Sequence, residues 1–270
     1  MIVVTGATGT IGRALIGELG GSARAVVRRP DQGEALGCDF VVGDLERPES
    51  IPLKPGDRLF LNSSLWPGFV RAHQGVVDHA AAAGVAQVVT VSVRGATSSS
   101  LLGFGMHGQA DAHLKASGVP WSILAPVGFM QNLAADVDEE GRFFGSYGKG
   151  RVGYVDARDI AAVAARLLTG PVGPDATYEL TGPEALTHDE IAAELTRALG
   201  RPVRYVDLPV EEAAVHLEKR GLPAGTAADL AALMSQIGDG RWASTTTTVA
   251  DLLGRPPRSL REFLDVGTPD

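Results

Sequence analysis

The chain has 270 residues, with 24 Lys and Arg against 32 Asp and Glu, a net charge of −8 and a single cysteine, Cys38. The acidic balance disfavours a phosphate-backbone binder, because non-specific affinity for nucleic acid comes from clustered cations that release counterions. One cysteine allows no internal disulfide, no apolar run is long enough to cross a bilayer, and Met1 runs into Ile-Val-Val-Thr-Gly without the basic region of a secretory leader. The expectation is a cytoplasmic protein whose partners are small molecules, with no nucleic acid and no membrane.

In chain order, strands alternate with helices. Ile2 to Thr5 is a short β-branched run, and Ile11 to Leu19 carries apolar residues at helical spacing. Ala23 to Val27 predicts a strand, Gly33 to Gly37 a brief helix, and Asp39 to Val42 another strand. Pro52, Pro55 and Gly56 punctuate the chain before the strand Arg58 to Asn62. A helix over Val70 to Ala83, stopped by Gly84, leads to the strand Gln87 to Ser92. After a Gly- and Ser-rich stretch come a helix from His107 to Ser117 and a strand from Val119 to Leu124.

Residues 128–152, with Phe129, Met130, Phe143, Phe144 and Tyr147 among glycines, predict irregular structure lining a pocket, or else a satellite hydrophobic cluster beneath a loop. Asp159 to Leu168 returns as an Ala-rich helix and Thr177 to Thr181 as a strand. His188 to Leu199, Val210 to Arg220 and Ala227 to Ile237 are helical, and Thr245 to Thr248 marks a further helix N-terminus. The pattern predicts an α/β fold, a Rossmann-type doubly wound parallel sheet with a small, mostly helical C-terminal cap. The expected division is a core of 1–127, rejoined by 153–182, and a substrate-binding cap of 128–152 and 183–270.

Gly6-Ala7-Thr8-Gly9-Thr10-Ile11-Gly12 spaces its glycines G-x-x-G-x-x-G between the first strand and the first helix. This position meets three demands of pyrophosphate binding together: a tight turn, close backbone approach, and a helix N-terminus facing the anion. The second strand ends in Arg28-Arg29-Pro30, with no acidic residue to take ribose hydroxyls, so NADP(H) is favoured over NAD(H). Gly43-Asp44-Leu45 ends the third strand, where Asp44 can accept from the adenine amino group and Leu45 can pack on the ring; Asp44 capping a turn is the alternative. The polar loop Asn62-Ser63-Ser64 ends the fourth.

These residues, together with Trp121-Ser-Ile-Leu-Ala-Pro126, Phe129-Met130-Gln131-Asn132-Leu133, Tyr154-Val-Asp-Ala-Arg-Asp159 and the ending Leu253-Gly-Arg-Pro-Pro, resemble the NmrA-like branch of the atypical short-chain dehydrogenases/reductases. The resemblance covers nearly the whole chain. It implies an NADP(H)-dependent reductase of quinone-, azo-dye- or triphenylmethane-like acceptors, or a redox-sensing regulator acting through a partner protein. It also implies that Asp44 contacts adenine and that the loops after the fourth, fifth and sixth strands line the nicotinamide side. A homodimer is one assembly it allows.

Departures from the wider superfamily carry as much weight. Its usual Tyr-x-x-x-Lys proton donor is absent; Ser92 is present, and His107-Gly-Gln-Ala-Asp111 followed by Leu114 occupies the slot. The resemblance implies that His107 stands where the tyrosine would, so His107 and Ser92 are the candidate catalytic donors. Ala125 replaces an arginine common in the branch. Trp66, Phe129 and Met130 are expected over the nicotinamide as an apolar substrate slot, with packing between the cap and the sheet as the alternative, and no His or carboxylate spacing suggests a metal site.

Overall fold

The computed structural model describes residues 1–99, 102–240 and 242–266. Its strands are β1 (Ile2–Val4), β2 (Ala23–Val27), β3 (Asp39–Val42), β4 (Arg58–Leu61), β5 (Gln87–Val91), β6 (Trp121–Pro126), β7 (Arg142–Gly145), β8 (Ala176–Leu180) and β9 (Arg204–Asp207). Its α-helices are α1 (Thr10–Leu19), α2 (Pro30–Leu36), α3 (Phe69–Ala83), α4 (Leu102–Ala116), α5 (Met130–Ala135), α6 (Ala157–Thr169), α7 (His188–Leu199), α8 (Val210–Lys219), α9 (Ala224–Gly238), α10 (Thr248–Leu253) and α11 (Leu260–Val266). The chain divides into two units, Met1–Pro126 with Ala157–Glu179, and Val127–Asp156 with Leu180–Asp270.

In the first unit the strands form one sheet in the order β3-β2-β1-β4-β5-β6-β8. From β3 across to β6 neighbours run parallel. Parallel strands need both faces covered, and β1, β4 and β5 are accordingly buried at nearly every residue, most of them apolar. Chain order reverses between β1 and β4, the switch point where the carboxyl ends of the strands open a crevice for ligands. The expected Rossmann-type architecture is therefore present.

Two boundaries differ from expectation. α2 starts at Pro30, because proline suits the first helical position and the Gln32 side chain accepts from Arg29 N–H (3.2 Å). α4 starts five residues before His107, across Gly103 and Gly105, which read as helix breakers. One reason for such glycines is close packing: a Cβ on Gly103 would lie 2.3 Å from the Leu65 side chain, and one on Gly108 2.1 Å from the Thr97 backbone. His107 is consequently inside a helix and not at its N-terminus.

In the second unit, residues 128–152 are more regular than their composition suggests. α5 and β7 occupy this stretch, and β7 pairs in parallel with β9 from Arg142 against Arg204 to Gly145 against Asp207. The pairing partner lies some sixty residues away, so no local pattern announces either strand. Phe143 faces inward with Met130, Leu133, Ile191, Leu195, Leu260 and Phe263, forming this unit's core. Thr187 starts α7 with a capping box, its hydroxyl accepting from Glu190 N–H (3.2 Å) while the Glu190 carboxylate accepts from Thr187 N–H (2.8 Å). α8 and α9 share a small apolar cluster built on Ala213, Leu217, Ala227 and Ala231. No helix among the described residues is long and apolar enough to cross a membrane.

Candidate active site

The turn between β1 and α1 is built by the absence of side chains. Gly6 adopts φ +62°, and a Cβ there would meet the Asn62 carbonyl at 2.5 Å; a Cβ on Gly12 would fall 2.1 Å from Gly6 O. Gly9 is different: its N–H donates to Gly6 O (3.0 Å), and a Cβ there would touch only Gly6 O at 3.4 Å. Thr5 ties the turn to the end of β4, its hydroxyl accepting from Asn62 N–H and donating to Asn62 O, each at 2.9 Å.

Arg13 Nε–H donates to Thr8 O at 2.9 Å, bracing the loop from the far side. Ile11 and Gly12 are buried, while Gly9 and Thr10 are exposed at the opening of α1, whose first turn carries no acidic residue. First-turn amides have no intrahelical acceptor, so this end presents N–H groups and the positive pole of the helix to an anion. A glycine-lined cradle of this kind fits a dinucleotide pyrophosphate.

Around it stand the ends of β2, β3 and β4. Arg28 and Arg29 are both exposed, but only Arg29 is engaged, its guanidinium donating to Asp31 at 3.2 Å. Arg28 is left facing solvent at the end of the strand. Asp44 has its carboxylate turned to its own loop, accepting from Glu46 N–H at 3.0 Å with Arg47 at 3.7 Å, while Ser50 Oγ accepts from Asp44 N–H. Asp44 thus caps its own turn, with its second oxygen lying toward Arg47. Leu45 packs on the core of this unit, half-buried.

Beyond β4, Asn62 and Ser63 are half-buried and Ser64 exposed. Ser63 Oγ lies 2.9 Å from His73 Nε2 on α3. The His73 ring stacks on Phe69 (3.9 Å between centroids, 30° apart), and Phe69 meets the edge of His107 on α4 at 4.9 Å. Trp66 sets its edge on Phe69 and donates its indole N–H to Glu46 at 3.3 Å. Burial pushes His73 down to about 3, with His107 adding to the effect, and pushes His107 itself to about 4, so both rings are neutral at pH 7.

One turn after His107 on α4, Asp111 accepts a 2.5 Å hydrogen bond from Ser92 Oγ, just past β5. Burial raises Asp111 to about 6, against the lowering effects of the Ser92 bond and Lys115. The first unit therefore gathers Ser63, His73, Phe69 and His107 into one contact chain, and Asp111, one turn along α4 from His107, holds Ser92 from the end of β5. Sequence reasoning missed His73 and Phe69 as members of this group; their i, i+4 spacing on α3 was the available signal. Asp111 stands out in the sequence only as the end of the run His107-Gly-Gln-Ala-Asp111.

The other two aromatic-slot candidates lie in the second unit. Phe129 is half-buried and bridges to Val155. Met130 is 2% exposed, packed into that unit's core, which corrects its expected place in an open slot. Its position four residues past the end of β6 makes burial and slot-lining indistinguishable from sequence.

A family model described as NAD(P)H-binding matches residues 6–171. The NAD(P)H azoreductase of Xenophilus azovorans is 35% identical over 97% of this chain and 96% of its own. The structure of an NADPH-dependent quinone oxidoreductase of Escherichia coli complexed with NADPH superposes with a TM-score of 0.87 at 29% identity, covering 98% of this chain and 99% of that one. That of the Citrobacter triphenylmethane reductase complexed with NADP(H) gives 0.85 at 25% identity over 99% and 100%.

Proposed function

The chain belongs to the NAD(P)H-binding family, in the NmrA-like branch of the atypical short-chain dehydrogenases/reductases, and we propose that it is an NADPH-dependent reductase of flat, conjugated acceptors such as quinones. The observation that carries this reading is the glycine cradle at the start of α1 beside an uncommitted Arg28. The dinucleotide, when bound, supplies the hydride. The chain supplies the rest. Gly6, Thr8, Gly9, Thr10, Ile11 and Gly12 form the phosphate turn; Arg28 meets the 2′-phosphate, with Arg29 held partly away by Asp31. Asp44 and Leu45 flank the adenine, and Asn62, Ser63 and Ser64 border the nicotinamide side.

Relatives named for azo, quinone and triphenylmethane reduction support a conjugated acceptor. Such acceptors delocalise the charge that arrives with the hydride, so they need orientation and a dry surface more than a strong acid. This fits a site without Tyr-x-x-x-Lys. Trp66 supplies apolar surface, and His107 and Ser92 supply hydrogen-bond donors. His107, neutral at pH 7, can donate an N–H but holds no additional proton.

The test is a panel of acceptors under saturating NADPH. A small quinone should be reduced at least a hundredfold faster than a saturated ketone of similar size. Equal rates for the two, or no oxidation of NADPH by any conjugated acceptor, would overturn the reading.

A further inference from the structure

Ser92 is a poor donor as it stands. Its hydroxyl proton points at Asp111 across 2.5 Å, the length of a hydroxyl–carboxylate bond, and a proton committed there is not offered to a substrate. Protonating Asp111 reverses the bond: the carboxylic O–H donates to Ser92 Oγ, and the Ser92 proton becomes free to donate to a third group. We propose that Asp111 is the proton reserve of the reduction, acting through Ser92, and that its protonation turns Ser92 from a closed pair into a donor for the acceptor's oxygen. This rests on the reductase reading above. Because Asp111 acts through another residue, it is a positioning residue and Ser92 the catalytic one.

Three features of the structure carry the inference. Ser92 sits immediately after β5, between β4 and β6, at the carboxyl edge of the sheet where ligands of this fold lie. The pair is buried, Ser92 being 3% and Asp111 9% exposed, so little water competes for the hydrogen bond between them. The neighbouring titratable groups hold no competing proton. His107, one turn earlier on α4, and His73, from the packed face of α3, are both kept neutral by burial, and Lys115, one turn later, acts on Asp111 only by lowering it. With burial raising it to about 6, Asp111 titrates close to neutrality, where a proton donor works best.

The balance is simple. The acceptor gains a hydride from the dinucleotide, and the electron pair of its C=O π system moves onto oxygen. That oxygen takes the proton of the Ser92 hydroxyl, Ser92 Oγ takes the proton of the Asp111 carboxyl, and Asp111 is left as a carboxylate that water reprotonates between turnovers.

The experiment follows the protonated-carboxyl infrared band of the protein without dinucleotide, together with kcat for a quinone from pH 5 to 8. The wild type should show a band titrating with a midpoint near 6, absent from Asp111→Asn. Its kcat should rise at least fivefold from pH 8 to 5, while Asp111→Asn changes less than twofold over the same range and keeps its KM for NADPH within twofold. If Asp111→Asn fails to fold, Ser92→Ala replaces it: the band should persist, with its midpoint moved upward by loss of the Ser92 bond, and the kcat profile should flatten. A band midpoint below 4.5, or a variant keeping the wild-type profile, would overturn the proposal. Absence of NADPH oxidation at every pH would instead remove the reductase reading, and this role with it, whatever the band does.

Discussion

The turn after β1 and the facing sides of α3 and α4 solve different problems with different materials. The turn consists of backbone: glycines at 6, 9 and 12, a helix start free of acidic side chains, and a threonine that ties it to β4. Nothing in it titrates. The α3–α4 face consists of side chains, the buried His73 and Asp111 and the half-buried His107, each displaced from its ordinary protonation range by the loss of water. Binding and chemistry should therefore fail separately when each region is altered, because one depends on steric room and the other on protonation.

The largest separation should come from Gly9→Val. A Cβ at this position meets only Gly6 O, at 3.4 Å, so the fold should survive with its Tm within a few degrees of wild type. Dinucleotide affinity should fall more than a hundredfold in a fluorescence titration, since branched carbon occupies the room the pyrophosphate needs. Retained affinity would mean that the turn is not the phosphate site.

A smaller effect should divide the two arginines. Arg28→Ala should weaken NADPH by at least tenfold and leave NADH within twofold, in line with the roughly 1.5–3 kcal/mol of a charge-assisted hydrogen bond. Arg29→Ala should change NADPH by less than threefold, because its guanidinium already serves Asp31. Equal losses at the two positions would erase the distinction between the free and the engaged cation.

On the other face, His107→Phe should lower kcat several-fold with NADPH affinity unchanged. The smallest signal is in stability. His73 and His107 have folded-state values below their ordinary 6.5, so the unfolded chain binds more protons between about pH 4 and 6.5. Their contribution is complete above 6.5 and is lost as pH falls through that window, by up to about 1.4 kcal/mol per pH unit for each ring. Asp111, raised to about 6, acts in the opposite sense: its contribution is complete below its unfolded value near 4 and is lost as pH rises to about 6. Calorimetry at pH 7 and 4.5 should show His73→Phe losing less stability in acid than the wild type.

How legible each region is in the sequence follows from the same contrast. The glycine turn, the strands around it and Arg28-Arg29 are local signals, because a turn conformation and a strand end are decided by adjacent residues. The site chemistry is decided at a distance. His73 was visible as a histidine without metal-like spacing, but its partners Ser63 and Phe69 become meaningful only when β4 and α3 are placed beside α4. The Ser92–Asp111 bond spans nineteen residues. The pair β7–β9 escaped for the same reason, with Arg142 to Gly145 short and its partner remote. Gly103 and Gly105 misled in the other direction: they read as breakers, yet α4 runs through both.

The most direct test of the account is a single titration of the wild-type protein with NADPH and, separately, with NADH, followed by addition of one equivalent of a small quinone while the absorbance of the bound dinucleotide is recorded. NADPH should bind at least tenfold more tightly than NADH, and its absorbance should be lost on addition of the quinone. Equal affinities, or tight NADPH binding whose absorbance no quinone discharges, would contradict the proposed function.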